Sequence, residues 1–152
     1  MNAPELRFAF QAEVEIGAPL DFGDTQNGHR RVIPITGGRV EGTRLKGRIV
    51  PGGADCQILH PGGSASLDAR YTIETDQGAL IYVVNRGVRH GPPEVLDRLN
   101  RGERVDPGSY YFRSAASFET SAAECVWLTR AIILGTGERY PDRVALRFWE
   151  LL

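Results

Sequence analysis

The residue types from which a small-molecule site is made recur at short intervals through the middle of the chain: Asp55-Cys56-Gln57, Asp68, Arg70-Tyr71, Tyr82, Asn85, Arg113 and Trp127. A carboxylate such as Asp55, following Pro51-Gly52-Gly53 at the entrance of a strand, serves as a general base once burial shifts its pKa towards neutrality. Arginine forks orient an anion or stabilise an enolate or oxyanion, and aromatic rings stack on an apolar body. Asp55 is therefore the candidate catalytic group, and Gln57, Arg70, Tyr71, Tyr82, Asn85, Arg113 and Trp127 are the candidate ligand-binding residues. Each has a plainer reading beside it. An aspartate after Gly-Gly often holds a turn through backbone amides. Asp68, Arg70 and Glu74 alternate with apolar residues and also fit a solvent-facing strand surface.

Other chemistry has weaker support. His29, His60 and His90 lie in separate Gly- or Pro-containing turns without the paired spacing of a zinc site, so no metal is expected. Cys56 adjoins Asp55 but has no partner base identifiable by spacing. There is no Gly-x-Ser-x-Gly elbow or phosphate-binding loop, and Gly135-Thr136-Gly137 lacks the third glycine of a dinucleotide fingerprint. No cofactor is expected.

These side chains must be positioned mainly by strands. Residues 6–16 alternate apolar and polar with a period of two, as do 65–75, where Leu67, Ala69, Tyr71 and Ile73 share one face and Asp68, Arg70, Thr72 and Glu74 the other. Further strands are expected at 31–36, 39–50, 56–59, 79–85, 109–118, 125–135 and 143–151. Turns are expected at 37–38, 51–55, 60–63 and 76–78, an irregular loop over 21–30, and a connection over 135–142. Pro92-Pro93 at the start and Gly102 at the end, with Val95, Leu96 and Leu99 between them, give one short helix near residues 93–101. Gly42 and Gly47 lie inside strand-like sequence, where glycine marks curvature or close backbone approach. The fold class is all-β: a single antiparallel barrel domain of eight or nine strands spanning residues 1–152. A barrel of that size has an interior that side chains just fill or that holds one small ligand.

The 18 glycines and nine prolines among 152 residues exclude long helices. A net charge of −1 with interspersed signs lacks the footprint of a nucleic-acid binder, although Lys46 is the only lysine among 18 basic residues. No apolar run is long enough to span a membrane as a helix, and Met1-Asn2-Ala3-Pro4-Glu5 lacks the basic start of a signal peptide, so a cytoplasmic location is expected, with Cys56 and Cys125 reduced. Tyr110-Tyr111-Phe112 must project to both faces of a strand, which places an aromatic ring outside the core and leads us to expect a homodimer. Light scattering that gives only the 16.7 kDa species would refute it.

Several of these runs carry a resemblance: residues 30–50, Pro51-Gly52-Gly53-Ala54-Asp55-Cys56-Gln57, Leu67-Asp68-Ala69-Arg70-Tyr71, Thr75-Asp76 and Tyr111-Phe112-Arg113. Together they resemble the bacterial and fungal family called domain of unknown function 3237, over nearly the whole chain. The resemblance implies a lipocalin-like closed barrel, in agreement with the strand count. Typical members have tryptophan after the Gly-Gly-Ala-Asp aspartate; this chain has Cys56, which removes an aromatic wall from that point. The function expected is small-molecule binding, with an aromatic or carboxylated metabolite as ligand. The alternatives are a cofactor-independent lyase, isomerase or cyclase using an acid–base carboxylate in the cavity, and a structural or interaction module.

Overall fold

Alternation of apolar and polar residues dominates the chain, and a computed structural model describing Met1–Leu152 turns it into nine strands. They are β1 (Leu6–Ile16), β2 (Leu20–Thr25), β3 (Gly28–Glu41), β4 (Lys46–Leu59), β5 (Ala65–Thr75), β6 (Leu80–His90), β7 (Tyr111–Glu119), β8 (Ile133–Arg139) and β9 (Arg143–Leu151). One helix, α1 (Pro93–Asn100), and two 3₁₀ segments, Pro107–Ser109 and Ala123–Thr129, complete the fold. All pairings are antiparallel, in the order β1-β9-β8-β7-β6-β5-β4-β3-β2, and β1 also pairs with β3. Eight strands therefore close into a barrel. β2 stands outside the ring, paired only to the first part of β3.

Three strands, β1, β5 and β9, have the limits expected of them, the first two from their alternation. Elsewhere tertiary structure overrides local signals. Residues 51–55 bulge within β4 instead of ending it: the pairing passes from Val50 opposite Thr72 to Ala54 opposite Arg70, and Gly52 at φ 115° absorbs the extra residues. Likewise 37–38 is a bend inside β3. Residues 42–45, expected within a strand, turn between β3 and β4. The loop expected over 21–30 is a hairpin, because Gly28 at φ 108° and Thr25 Oγ1, which accepts from the Asn27 amide, build a tight turn there. The apolar run 125–128 is 3₁₀, not strand. It buries Cys125 and Leu128 beneath the barrel, and β8 begins only at Ile133 and runs on through Gly135 and Gly137.

The lower half of the lumen is filled. Phe10 stacks on Phe148 at 4.6 Å between ring centroids, Phe118 meets both rings edge-on, and Ile49, Ile73, Ile81 and Ile133 are fully buried around them. Closure of the barrel depends on Gly38. Its φ is 140°, and a Cβ there would run into the Glu13 carbonyl across the β1–β3 seam. Gly38→Ala is therefore expected to cost about 2–4 kcal/mol, read as a lower midpoint in urea unfolding. An unchanged midpoint would mean that the seam yields without cost.

Candidate functional site

In the upper half, the strand registers bring polar side chains inward. Ile33 pairs with Asp55, Asp55 with Ala69, Ala69 with Asn85, and Asn85 with Ala116. Asp55 and Asn85 thus lie on one cross-strand row with only the small Ala69 between them, and residues two and four steps further along share their face. On β6 those residues are Gly87 and Arg89; on β4 the next is Gln57. The cavity they enclose holds about 540 Å³ of atom-free space, its open side included. Its walls are mainly apolar, including Ile33, Ile35, Leu67, Phe112 and Leu146, and its polar groups are Asp55, Gln57, Tyr71, Asn85, Arg89, Ser114 and Arg139. Glycine makes part of this packing possible: a Cβ on Gly137 would lie 2.7 Å from the Phe112 ring.

A chain of hydrogen bonds fixes Asp55. Arg31 Nε and Nη2 both donate to Gln57 Oε1, at 3.1 and 2.8 Å. A guanidinium only donates, so the Gln57 amide is held with its Nε2 donating to Asp55 Oδ2 at 2.8 Å. The Asp68 amide donates to Asp55 Oδ1 at 3.0 Å. Burial nevertheless dominates and raises the Asp55 pKa above the ordinary carboxylate value, against the pull of these donors and of the Arg89 and Arg139 charges.

The last residue of α1 organises the cationic side. Asn100 Oδ1 accepts from Arg31 Nη2 and Arg89 Nη2 at 3.3 and 3.1 Å, and its carbonyl accepts from Arg31 Nη1 at 3.1 Å. The C-terminal end of a helix suits nearby cations, and α1 is anchored by buried Leu96 and Leu99. Arg89 is 1% exposed and Arg139 3% exposed. Burial and mutual repulsion with neighbouring arginines push each down to about 10, so both remain charged at neutral pH. Asp55 is the only carboxylate that draws on either.

Four buried polar atoms around this cavity have no partner in the protein: Asn85 Oδ1, Arg89 Nε, Ser114 Oγ and Arg139 Nη1. Buried polar groups are ordinarily satisfied, and each orphan costs roughly 1–3 kcal/mol. Tyr71 is also buried here, and desolvation raises its pKa far above that of an ordinary phenol.

Of the residues singled out in the sequence, Asp55, Gln57, Tyr71 and Asn85 meet in the lumen. Arg70 lies on the outer face, bonded to Asp68, and Tyr82 and Arg113 are also outside. Trp127 is on the 3₁₀ segment at the opposite end, with the Arg44 guanidinium stacked 3.6 Å from its ring centroid. Sequence reasoning misses Arg31, Arg89, Ser114 and Arg139; the signal that reveals the first two is parity with inward-facing neighbours, Ile33 and Ile35 for Arg31, and Ile81, Val83 and Asn85 for Arg89. No group of three or more His, Cys, Asp or Glu side chains is placed to hold a metal ion. Both cysteines are free, Cys56 exposed and Cys125 buried. Tyr111 projects outward between buried Tyr110 and Phe112. No helix is long and apolar enough to cross a membrane.

Residues 4–151 match the family described as Protein of unknown function (DUF3237). The chain belongs to this family. The UPF0311 protein RPA1785 of Rhodopseudomonas palustris is 41% identical over 148 residues, 97% of each chain. Its crystal structure superposes with a TM-score of 0.94, covering 100% of this chain and 99% of that one at 39% identity. A beta-barrel like protein from Acinetobacter baumannii gives 0.84 at 41% identity, with 99% of each chain covered. More distantly, a protein of Penicillium herquei named hydroalkoxylation enzyme is 24% identical over 148 residues, 97% of this chain and 84% of that one.

Proposed function

We propose that the lumen of this DUF3237 barrel binds a small organic molecule with an apolar body and polar ends, and that Asp55 exchanges a proton with it. The observation that carries this reading is that four residues lining one cavity, Asn85, Arg89, Ser114 and Arg139, each hold a buried polar atom without a partner. A filled core has no reason to retain them. A ligand that supplies their missing hydrogen bonds recovers in binding what the empty fold gives up.

Catalysis without a cofactor is favoured over simple carriage by the state of Asp55. A carboxyl whose ionisation burial opposes, yet which two donors fix in place, is suited to exchange a proton with a bound molecule. The distant relative named hydroalkoxylation enzyme offers a reaction of this kind. The acid gives its proton to one alkene carbon, a hydroxyl oxygen of the substrate bonds to the other carbon, and the hydroxyl proton returns to the carboxylate. No atom is lost and no oxidant is needed.

The test of the site uses benzoate and phenol as probes, followed by amide chemical shifts. Millimolar benzoate is expected to move the Ala69, Gly87 and Ser114 resonances in the wild-type protein, and Ala69→Phe, which fills the lumen, is expected to abolish the effect. Shifts confined to the outer surface, or none with either probe, would overturn the reading.

A further inference from the structure

The proposed lumenal site carries more information than its existence, because its unpartnered atoms are of different kinds. Arg89 Nε and Arg139 Nη1 belong to guanidinium groups, which only donate. Both side chains are almost completely buried and positively charged, and Arg31 stands behind them. Arg89 and Arg139 share one carboxylate, Asp55, whose own ionisation is opposed by burial, while Arg31 draws on Asp21 as well. The imbalance favours an added negative charge. Buried cations without a counter-ion are among the costliest arrangements in a protein interior, and an oxyanion is the partner that accepts from both nitrogens.

Asn85 makes a different demand. It is 6% exposed, and its Oδ1 accepts no hydrogen bond. A carboxamide presents an acceptor and a donor side by side, and a hydroxyl, which donates and accepts at once, satisfies both. Asn85 is four residues from Arg89 along β6, so the two demands fall at different depths of the lumen. The wall between them is apolar, with Ile33, Leu67 and Phe112 among its residues, and excludes a bare inorganic anion as the natural occupant.

Building on the lumenal reading above, we propose that the ligand is a hydroxylated organic anion, with its anionic oxygen on Arg89 Nε and Arg139 Nη1 and a hydroxyl against the carboxamide of Asn85. The apolar part of the molecule lies along Ile33, Leu67 and Phe112.

Calorimetric titration of the full chain with benzoate, the 2-, 3- and 4-hydroxybenzoates, neutral benzyl alcohol and inorganic phosphate tests this assignment. At least one hydroxybenzoate is expected to bind about tenfold more tightly than benzoate, and benzyl alcohol and phosphate far more weakly than either. The ratio of hydroxybenzoate to benzoate affinity is expected to fall to about one in Asn85→Val and to persist in Asn85→Asp, which keeps an acceptor. Equal affinities in the wild-type protein, an unchanged ratio in Asn85→Val, or benzyl alcohol binding as well as benzoate would overturn the assignment while the lumen remained a binding site. Failure of every probe to enter the lumen would overturn both.

Discussion

Arg89→Met is expected to melt about 2–16 °C above the wild-type protein and to lose at least roughly thirtyfold in affinity for benzoate. The two effects have one cause. Arg89 is the largest fully buried side chain in the protein, yet it makes a single side-chain hydrogen bond, to Asn100, and leaves Nε without a partner. Holding a guanidinium pushed down to about 10 in its charged form costs on the order of 3 kcal/mol at neutral pH. Methionine fills much the same volume without the charge, and its sulfur suits the neighbouring Phe112 ring, which Arg89 now faces at 5.9 Å. Asn100 Oδ1 keeps its bond from Arg31. Replacing buried ionic groups by apolar side chains of similar volume is often neutral or stabilising by about 1–4 kcal/mol. Arg139 remains to face Asp55, so no carboxylate is left without a cation, and about 2–4 °C accompanies each kcal/mol in a protein of this size. Binding goes the other way, since truncating one partner of a desolvated charge pair costs about 2–5 kcal/mol. Thermal melting of the free protein and calorimetry with benzoate check the two arms. A lower melting temperature would mean that Arg89 serves the fold, and an unchanged affinity would remove it from the site.

That opposition between stability and binding explains which parts of the molecule are legible in its sequence. β5 follows hydrophobic alternation because one face is buried and the other wet, and β1 does so from Phe10 to Val14, whereas a register shift between Phe8 and Phe10 leaves Leu6 and Phe8, which alternation would place inward, exposed. In β5 the same alternation already separates Tyr71, which points inward, from Arg70, which does not. β6 shows the converse. Its inward face runs Ile81, Val83, Asn85, Gly87, Arg89, and a reading that equates inward with apolar stops at Asn85 and loses Arg89. Arg139 is hidden for a further reason: Gly135 and Gly137 look like a turn until the Phe112 ring is seen to occupy the space that a side chain on Gly137 would need. The 3₁₀ segment under the barrel misleads in the opposite direction, because Cys125, Val126, Trp127 and Leu128 have strand-like composition and no alternation to contradict it. Asp55 and Gln57 are legible as residue types, but their bond to one another depends on Arg31 from the adjacent strand, a long-range pairing that no local pattern encodes.

Asp55→Asn is expected to flatten the pH dependence of benzoate binding. In the wild-type protein, affinity should fall about tenfold as pH rises through the raised Asp55 pKa, because ionisation places a negative charge beside the bound anion. For a separation of roughly 8 Å at an effective dielectric constant near 20, that repulsion is about 2 kcal/mol, reduced by whatever solvent remains in the lumen. The Asp55→Asn variant carries the probe's own titration, near pH 4 for its carboxyl, as the background to subtract, and Arg89 and Arg139 stay charged until about pH 10. Stability carries the same sign. A carboxyl with a raised folded-state pKa is best accommodated while neutral, so its contribution is present below the ordinary aspartate value and is lost as pH rises through the raised one. The variant should lose that slope as well, although an asparagine side chain has one acceptor oxygen for the two donors, Gln57 and Asp68, and so starts from a lower stability. A slope that persists in Asp55→Asn would assign the titration to another group and remove Asp55 from proton transfer. If the slope disappears, reciprocity supplies the mechanism. A ligand anion that binds better to protonated Asp55 must raise its pKa further on binding, so the bound molecule itself holds the acid in the state from which it can donate.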